Sequence, residues 1–149
     1  MTRCRGRFAT PLSATWSYKF SGTGESSTPT DQIPVGLAVS QSGQVGVIGT
    51  FDGNMVVNST TTLVGGGAPI DFIMATDNAG HGLWGKAVDT QSGGLLSIAG
   101  HPARDEFVVC GFAIGPVTAL GLGGTYGDPL ETPLEDILIA KLDSTTGTV

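Results

Sequence analysis

The chain has 149 residues, a net charge of −6, 40% hydrophobic but only 13% charged residues, and 24 glycines. That length suits one domain with a sizeable core, and a composition rich in Gly, Ser, Thr and Val fits short strands joined by turns, not helices. Beyond Arg3, Arg5 and Arg7, four positive charges face thirteen negative ones, a balance that repels a phosphate backbone and excludes nucleic acid as an expected partner.

No stretch keeps apolar residues at i, i+3, i+4 and i+7, so the expected class is all-β. No apolar run approaches the ~18 residues of a membrane span. No signal peptide is visible, because the N-terminal arginines precede no apolar segment before Pro11. Cys4 and Cys110 make neither a disulfide framework nor a metal site, and Cys110 reads as a small buried hydrophobe.

Residues 1–14 read as a flexible leader. Trp16-Ser17-Tyr18-Lys19-Phe20 alternates aromatic and polar residues, the pattern of a half-buried strand. A polar loop through Pro34 follows. Val35–Val39 and Val45–Phe51 flank Ser40-Gln41-Ser42-Gly43 and predict a hairpin. Asp52-Gly53-Asn54 breaks the second strand, and Met55-Val56-Val57 extends it. Ile70–Thr76 predicts a third strand, Asp77–Gly82 a turn, and Leu83–Ala87 a fourth strand.

The series then restarts. Leu95–Gly100, Glu106–Phe112 and Ile137–Leu142 match the first three strands, and Asp143–Gly147 matches the turn. Gly49 to Gly111 is 62 residues, Asp71 to Asp136 and Ala75 to Ala140 are 65, Asp77 to Asp143 is 66, and Trp16 to Trp84 is 68. Repetition of four-strand units at this spacing predicts a β-propeller. The strands run outer, then three inner, outer, then three inner. Residues 15–149 thus form a two-blade unit: 15–87 hold the outer strand of a preceding blade plus blade one, and 88–149 a second blade without its outer strand.

The phrases Leu37-Ala38-Val39 with Gln44–Gly49, and Asp136-Ile137-Leu138-Ile139-Ala140-Lys141-Leu142-Asp143-Ser144, resemble the bacterial SBBP-type β-propeller repeat over about residues 16–149. The chain departs from that pattern at His101-Pro102-Ala103-Arg104-Asp105, which replaces a compact turn, and at Thr76, where the family favours Lys. The resemblance implies an extracellular or surface-associated repeat protein and carries no enzymatic activity onto particular residues.

Two blades leave two apolar faces and one strand edge uncovered. Either the sequence is part of a longer chain, or copies close a ring. The expected partner is a second copy, in a trimer of six blades, with dimer and tetramer as the other closures. Trp16, Tyr18 and Phe20 would complete a neighbour's blade. The structural alternative is a monomeric β-sandwich.

Antiparallel alternation puts the short turns on one rim and the long loops on the other. The long-loop rim would carry Asp31, Asp52, Asn54, Tyr126, Asp128, Glu131 and Glu135. Of these, Asp52, Asn54, Tyr126, Asp128 and Glu131 are the candidate ligand residues, suited to a carbohydrate or a hard cation; a protein ligand is the other option. The main expectation is a non-catalytic scaffold or binding module without cofactor or metal. The alternative is a saccharide-acting hydrolase or lyase using carboxylates such as Asp52 and Asp128. Gly121–Gly127 resembles a phosphate loop but precedes Asp128-Pro129, not a helix. Asn58-Ser59-Thr60 matches a glycosylation sequon, a short pattern common by chance, and His81 and His101 stand in separate blades with no Cys or His at ligand spacing, so zinc is not expected.

Overall fold

The computed structural model describes residues 32–65, 68–88, 93–117, 120, 124–126 and 136–149. Eleven strands are described: β1 Gln32–Val39, β2 Val45–Phe51, β3 Asn54–Val56, β4 Thr62–Val64, β5 Ile70–Thr76, β6 Gly82–Val88, β7 Gly94–Gly100, β8 Glu106–Ala113, β9 Gly115–Val117, β10 Gly124–Tyr126 and β11 Asp136–Asp143. The fold is all-β and every sheet is antiparallel, without a helix among the described residues. No described set of strands closes into a barrel.

The larger sheet has the order β1-β2-β5-β6, and the next has the order β11-β8-β7. Both are meanders in which each strand pairs with the one before it. Two small hairpins, β3-β4 and β9-β10, interrupt them. The second hairpin falls inside what reads in sequence as one long Gly/Pro loop. Trp16, Tyr18 and Phe20 lie outside the described residues.

The two sheets pack face to face. Ala38, Ile48, Ile73, Ala75, Trp84 and Val88 of the first share one core with Leu95, Ile98, Phe107, Val109, Ala113, Leu138, Ala140 and Leu142 of the second. Along β8 the buried residues alternate, Phe107, Val109, Gly111 and Ala113 facing inward, as a period of two requires. The first sheet has a second core on its opposite face: Phe51, Phe72 and Met74 lie beneath Met55, Val57 and Leu63. Strand β5 is therefore buried on both sides, which explains its unbroken apolar run.

Three expectations need correction. Pro34 belongs to β1, not to the preceding loop. It is tolerated because β1 is an edge among the described strands and the register shifts there, between Pro34 and Gly36. Residues 55–57 do not extend β2. Gly53 takes a φ of 73°, and the chain doubles back as the β3-β4 hairpin across the sheet face. The 65-residue spacing of Asp71 with Asp136 and of Ala75 with Ala140 fails by one residue. Gly49 pairs with Phe72 and Gly111 with Leu138, so β5 and β11 correspond at 66. One residue of slip reverses the face of every side chain.

Candidate functional site

The short turns do meet on one rim, and a polar node joins them. Gln44 Oε1 accepts from the hydroxyls of Ser40, at 2.5 Å, and Ser144, at 3.0 Å, and also from that of Ser42. Ser42 N–H donates to Asp105 Oδ1 at 2.8 Å, and Ser144 N–H to the Asp105 carbonyl at 2.8 Å. The turn at His101–Asp105, unusual in sequence, thus supplies one acceptor, Asp105 Oδ1, that ties the two sheets and a second, the Asp105 carbonyl, that ties the turns of its own sheet. Nearby, Trp84 Nε1 donates to the Ser144 carbonyl at 2.9 Å.

Two turns on this rim share one construction. Asp77 Oδ1 accepts the N–H groups of Ala79 and His81, and Gly80 takes a φ of 88°. Asp143 Oδ1 accepts those of Thr145 and Thr146, and Gly147 takes a φ of 69°. The His81 N–H, with the His81 ring 3.0 Å from Oδ2, holds the Asp77 carboxyl below its ordinary pKa. The Thr146 N–H does the same for Asp143. These are side-chain-closed turns, and the charge they hold is structural.

Toward the β5 start of the contact between the sheets sits Asp71, the one buried carboxylate of the shared face among the described residues. Its Oδ2 accepts from Leu95 N–H at 3.2 Å. Burial pushes its pKa up to about 6, against the opposing pull of that N–H. It joins the two sheets within their shared core, so it has the marks of a packing group.

Of the sequence-derived ligand residues, the described structure places Asp52, Asn54 and the backbone of Tyr126. Asp52 and Asn54 flank the positive-φ Gly53, and Asn54 pairs with Val64 at the base of the hairpin. Tyr126 ends β10, opposite Gly115. Asp128 and Glu131, like Asp31 and Glu135, lie outside the described residues. No group of three or more His, Cys, Asp or Glu that could hold a metal ion occurs among the described residues. No described helix is long and apolar enough to cross a membrane. The hairpin also departs from the expected rim. Its tip reaches the short-turn side, where Asn58 Nδ2 donates to the carbonyls of Gly82 and Leu83, each at 3.2 Å.

What the structure does present is two uncovered apolar surfaces. On the first sheet the β3-β4 hairpin packs on Phe72 and Met74 of β5, while along β1 Leu37 and Val39, on the same face, are 65% and 53% exposed, and Val35, at the bulge, 52%. Beside them a shallow cleft of about 190 Å³ is lined by Gln32, Pro34, Val47, Met55, Phe72 and Met74. On the far side of the second sheet Leu96, Ile137 and Ile139 are between 60% and 78% exposed, around the half-buried Val108, Cys110 and Phe112. Alternation in the strands foretells such rows, but not which face each sheet spends on the other.

No family model, no curated protein and no solved structure matches this chain. Its reading therefore rests on its own residues.

Proposed function

We propose that this chain is a non-catalytic scaffold or binding module, built of propeller-type blades and assembled with further copies of itself into a ring. The observation that carries it is the pair of exposed apolar surfaces on opposite flanks of the stacked sheets, one along β1 and one around Ile137 and Ile139 of β11, which is an edge among the described strands. Contiguous apolar surface of this kind marks interaction sites on soluble proteins, and an unpaired edge invites another strand. In this reading residues 16–20, with Trp16, Tyr18 and Phe20, add the missing fourth strand beside β11 of a neighbour. Three copies would give six blades.

The likeness of the two sheets supports the repeat on which the ring depends. Both shift register within their first strand, between Pro34 and Gly36 in β1 and between Leu95 and Ser97 in β7. From there the pairings correspond strand by strand, at offsets of 61, 62 and 66 residues for β1/β7, β2/β8 and β5/β11. Ligands of the assembled ring, a carbohydrate or a protein, would meet its long-loop rim, where Asp52 and Asn54 stand. The SBBP-type resemblance adds an extracellular or surface-associated setting to this proposal.

A second reading, a self-contained monomeric sandwich, draws on the β3-β4 hairpin, which already covers half of the first sheet's outer face. Mass in solution separates the two. Light scattering at a multiple of 15.1 kDa is the expected result, and a monodisperse monomer at every concentration would leave only the sandwich.

A further inference from the structure

We propose that β1 of a second copy docks on the bare face of β7, β8 and β11, repeating between molecules the contact that β7 makes with β1, β2 and β5 within one; this rests on the ring reading above. Inside the chain β7 lies across the first sheet. Ile98 is seated over Gly36 and Gly46, where added Cβ atoms would stand 3.2 and 2.9 Å from its methyl groups. The matched register makes Leu37 the counterpart of Ile98, and Ser97 and Val108 the counterparts of Gly36 and Gly46. Leu37 is exposed on one flank and Ser97 on the other.

Two exchanges of chemistry show that these flanks suit each other. Within the chain, Asp71 on β5 faces the N–H of Leu95 and accepts from it. Their counterparts are Ile137 and Pro34. Pro34 has no N–H to offer, and the residue that would face it has lost its carboxylate. Donor and acceptor have gone together, which leaves no polar group stranded. The second exchange is of size. Phe107 packs against Gly46, 3.0 Å from an added Cβ. The counterparts are Val45 and Val108, two middle-sized residues in place of a large one and none. A stranger's surface has no reason to match in both respects, so the occupant is a second copy. The contact joins different faces of the two molecules, the heterologous kind that closes rings.

The cleft beside β1 belongs to the same surface. Its Pro34, Val47, Phe72 and Met74 are the counterparts of Leu95, Val109, Leu138 and Ala140, all buried in the core between the sheets.

Sedimentation equilibrium on the full chain and its variants tests this. Ile137→Asp sets a carboxylate opposite Pro34 and is expected to weaken self-association roughly tenfold or more; adding Pro34→Ala restores an N–H and recovers part of the loss. Ile137 is exposed, so circular dichroism should be unchanged. In a Cys4→Ser, Cys110→Ser background, Leu37→Cys with Ser97→Cys should form disulfides between copies only, since the two positions lie on opposite flanks. An oligomer of unchanged mass that ignores Ile137→Asp and forms no such disulfide overturns this docking and leaves the ring reading standing. Weakening by Ile137→Asp with neither rescue nor disulfide overturns the register. A monomer at every concentration overturns both.

Discussion

The indole of Trp84 lies against Gly147, so close that a Cβ added to that glycine would stand 2.7 Å from the ring carbons Cδ2 and Cε3. Trp84 ends one sheet and Gly147 closes the last turn of the other, and the Nε1–H to Ser144 pins the ring in place. Gly147→Ala faces two penalties, the ring and a φ of 69°. It should destabilise the fold by about 2–4 kcal/mol. Trp84→Phe, which keeps a ring but drops the donor, should cost about 1–3 kcal/mol by stranding the Ser144 carbonyl. Urea titration of both variants checks this; equal stability to the parent would remove the pairing from any account of sheet stacking.

Asp71 predicts a pH dependence of definite sign. Its folded pKa, about 6, lies above the ordinary 3.8, so its neutral form fits the sheet contact better than its charged form. The benefit is fully present below pH ~4 and is lost as pH rises through ~6, on the order of 2–3 kcal/mol for this group. Asp71→Asn keeps an acceptor for Leu95 N–H without the charge. It should raise stability at pH 7.5 by about 1–3 kcal/mol and flatten the slope between pH 4 and 6. Denaturation at a series of pH values is the measurement. A variant less stable at pH 7.5 would mean that the ionised carboxylate is needed.

Asp77 and Asp143 titrate the other way. Their folded pKa values are lowered by turn N–H groups, so what they contribute is present above their ordinary pKa and lost as pH falls through the folded value. Asp143→Asn should leave the fold intact and reduce its sensitivity below pH 4, seen in the acid limb of the same titration.

Asn58 anchors the β3-β4 hairpin. Its Oδ1 accepts from Thr60 N–H at 2.9 Å, Thr60 Oγ1 at 3.0 Å and Thr61 N–H at 2.7 Å, while Nδ2 reaches Gly82 and Leu83. Asn58→Ala should cost about 1–3 kcal/mol and speed amide exchange in residues 54–64 more than in β5. The same bonds occupy the amide a glycan would need, so the sequon should stay unmodified on the folded chain. Efficient glycosylation of folded protein would show the hairpin to be loosely held.

The hydroxyls of Ser40, Ser42 and Ser144 converge on Gln44 Oε1 at the polar node. Gln44→Ala leaves Ser40 Oγ and Ser144 Oγ in a part-buried site without their shared acceptor. A loss of about 1–2 kcal/mol is expected. Gln44→Glu should be tolerated better, since a carboxylate oxygen still accepts from the hydroxyls. Thermal melts of the pair make the comparison.

Strand positions in the two sheets were legible in the sequence because each is short, rich in Val and Ile, and bounded by turn residues whose chemistry is local. Asp77 and Asp143 announce their turns, since an Asx side chain closes one within a few residues. The β3-β4 hairpin was not legible. Met55-Val56-Val57 and Leu63 look like further strand, and only the bare face of Phe72 and Met74 draws them back over the sheet. The register of β11 was missed for a related reason: Asp136 resembles Asp71 and Ala140 resembles Ala75 in letters, but pairing, not identity, decides which way a side chain points.

By itself the sequence determined the all-β class, the two successive meanders and the short-turn rim, because alternation and turn chemistry act over a few residues. Tertiary structure alone decided which face of each sheet is covered. It put Asp71 against Leu95, seated Trp84 on Gly147, and left β1 on one flank and Ile137 on the other in the open. Those outcomes depend on contacts between residues 24 to 63 positions apart, where no local pattern reaches and only packing can choose.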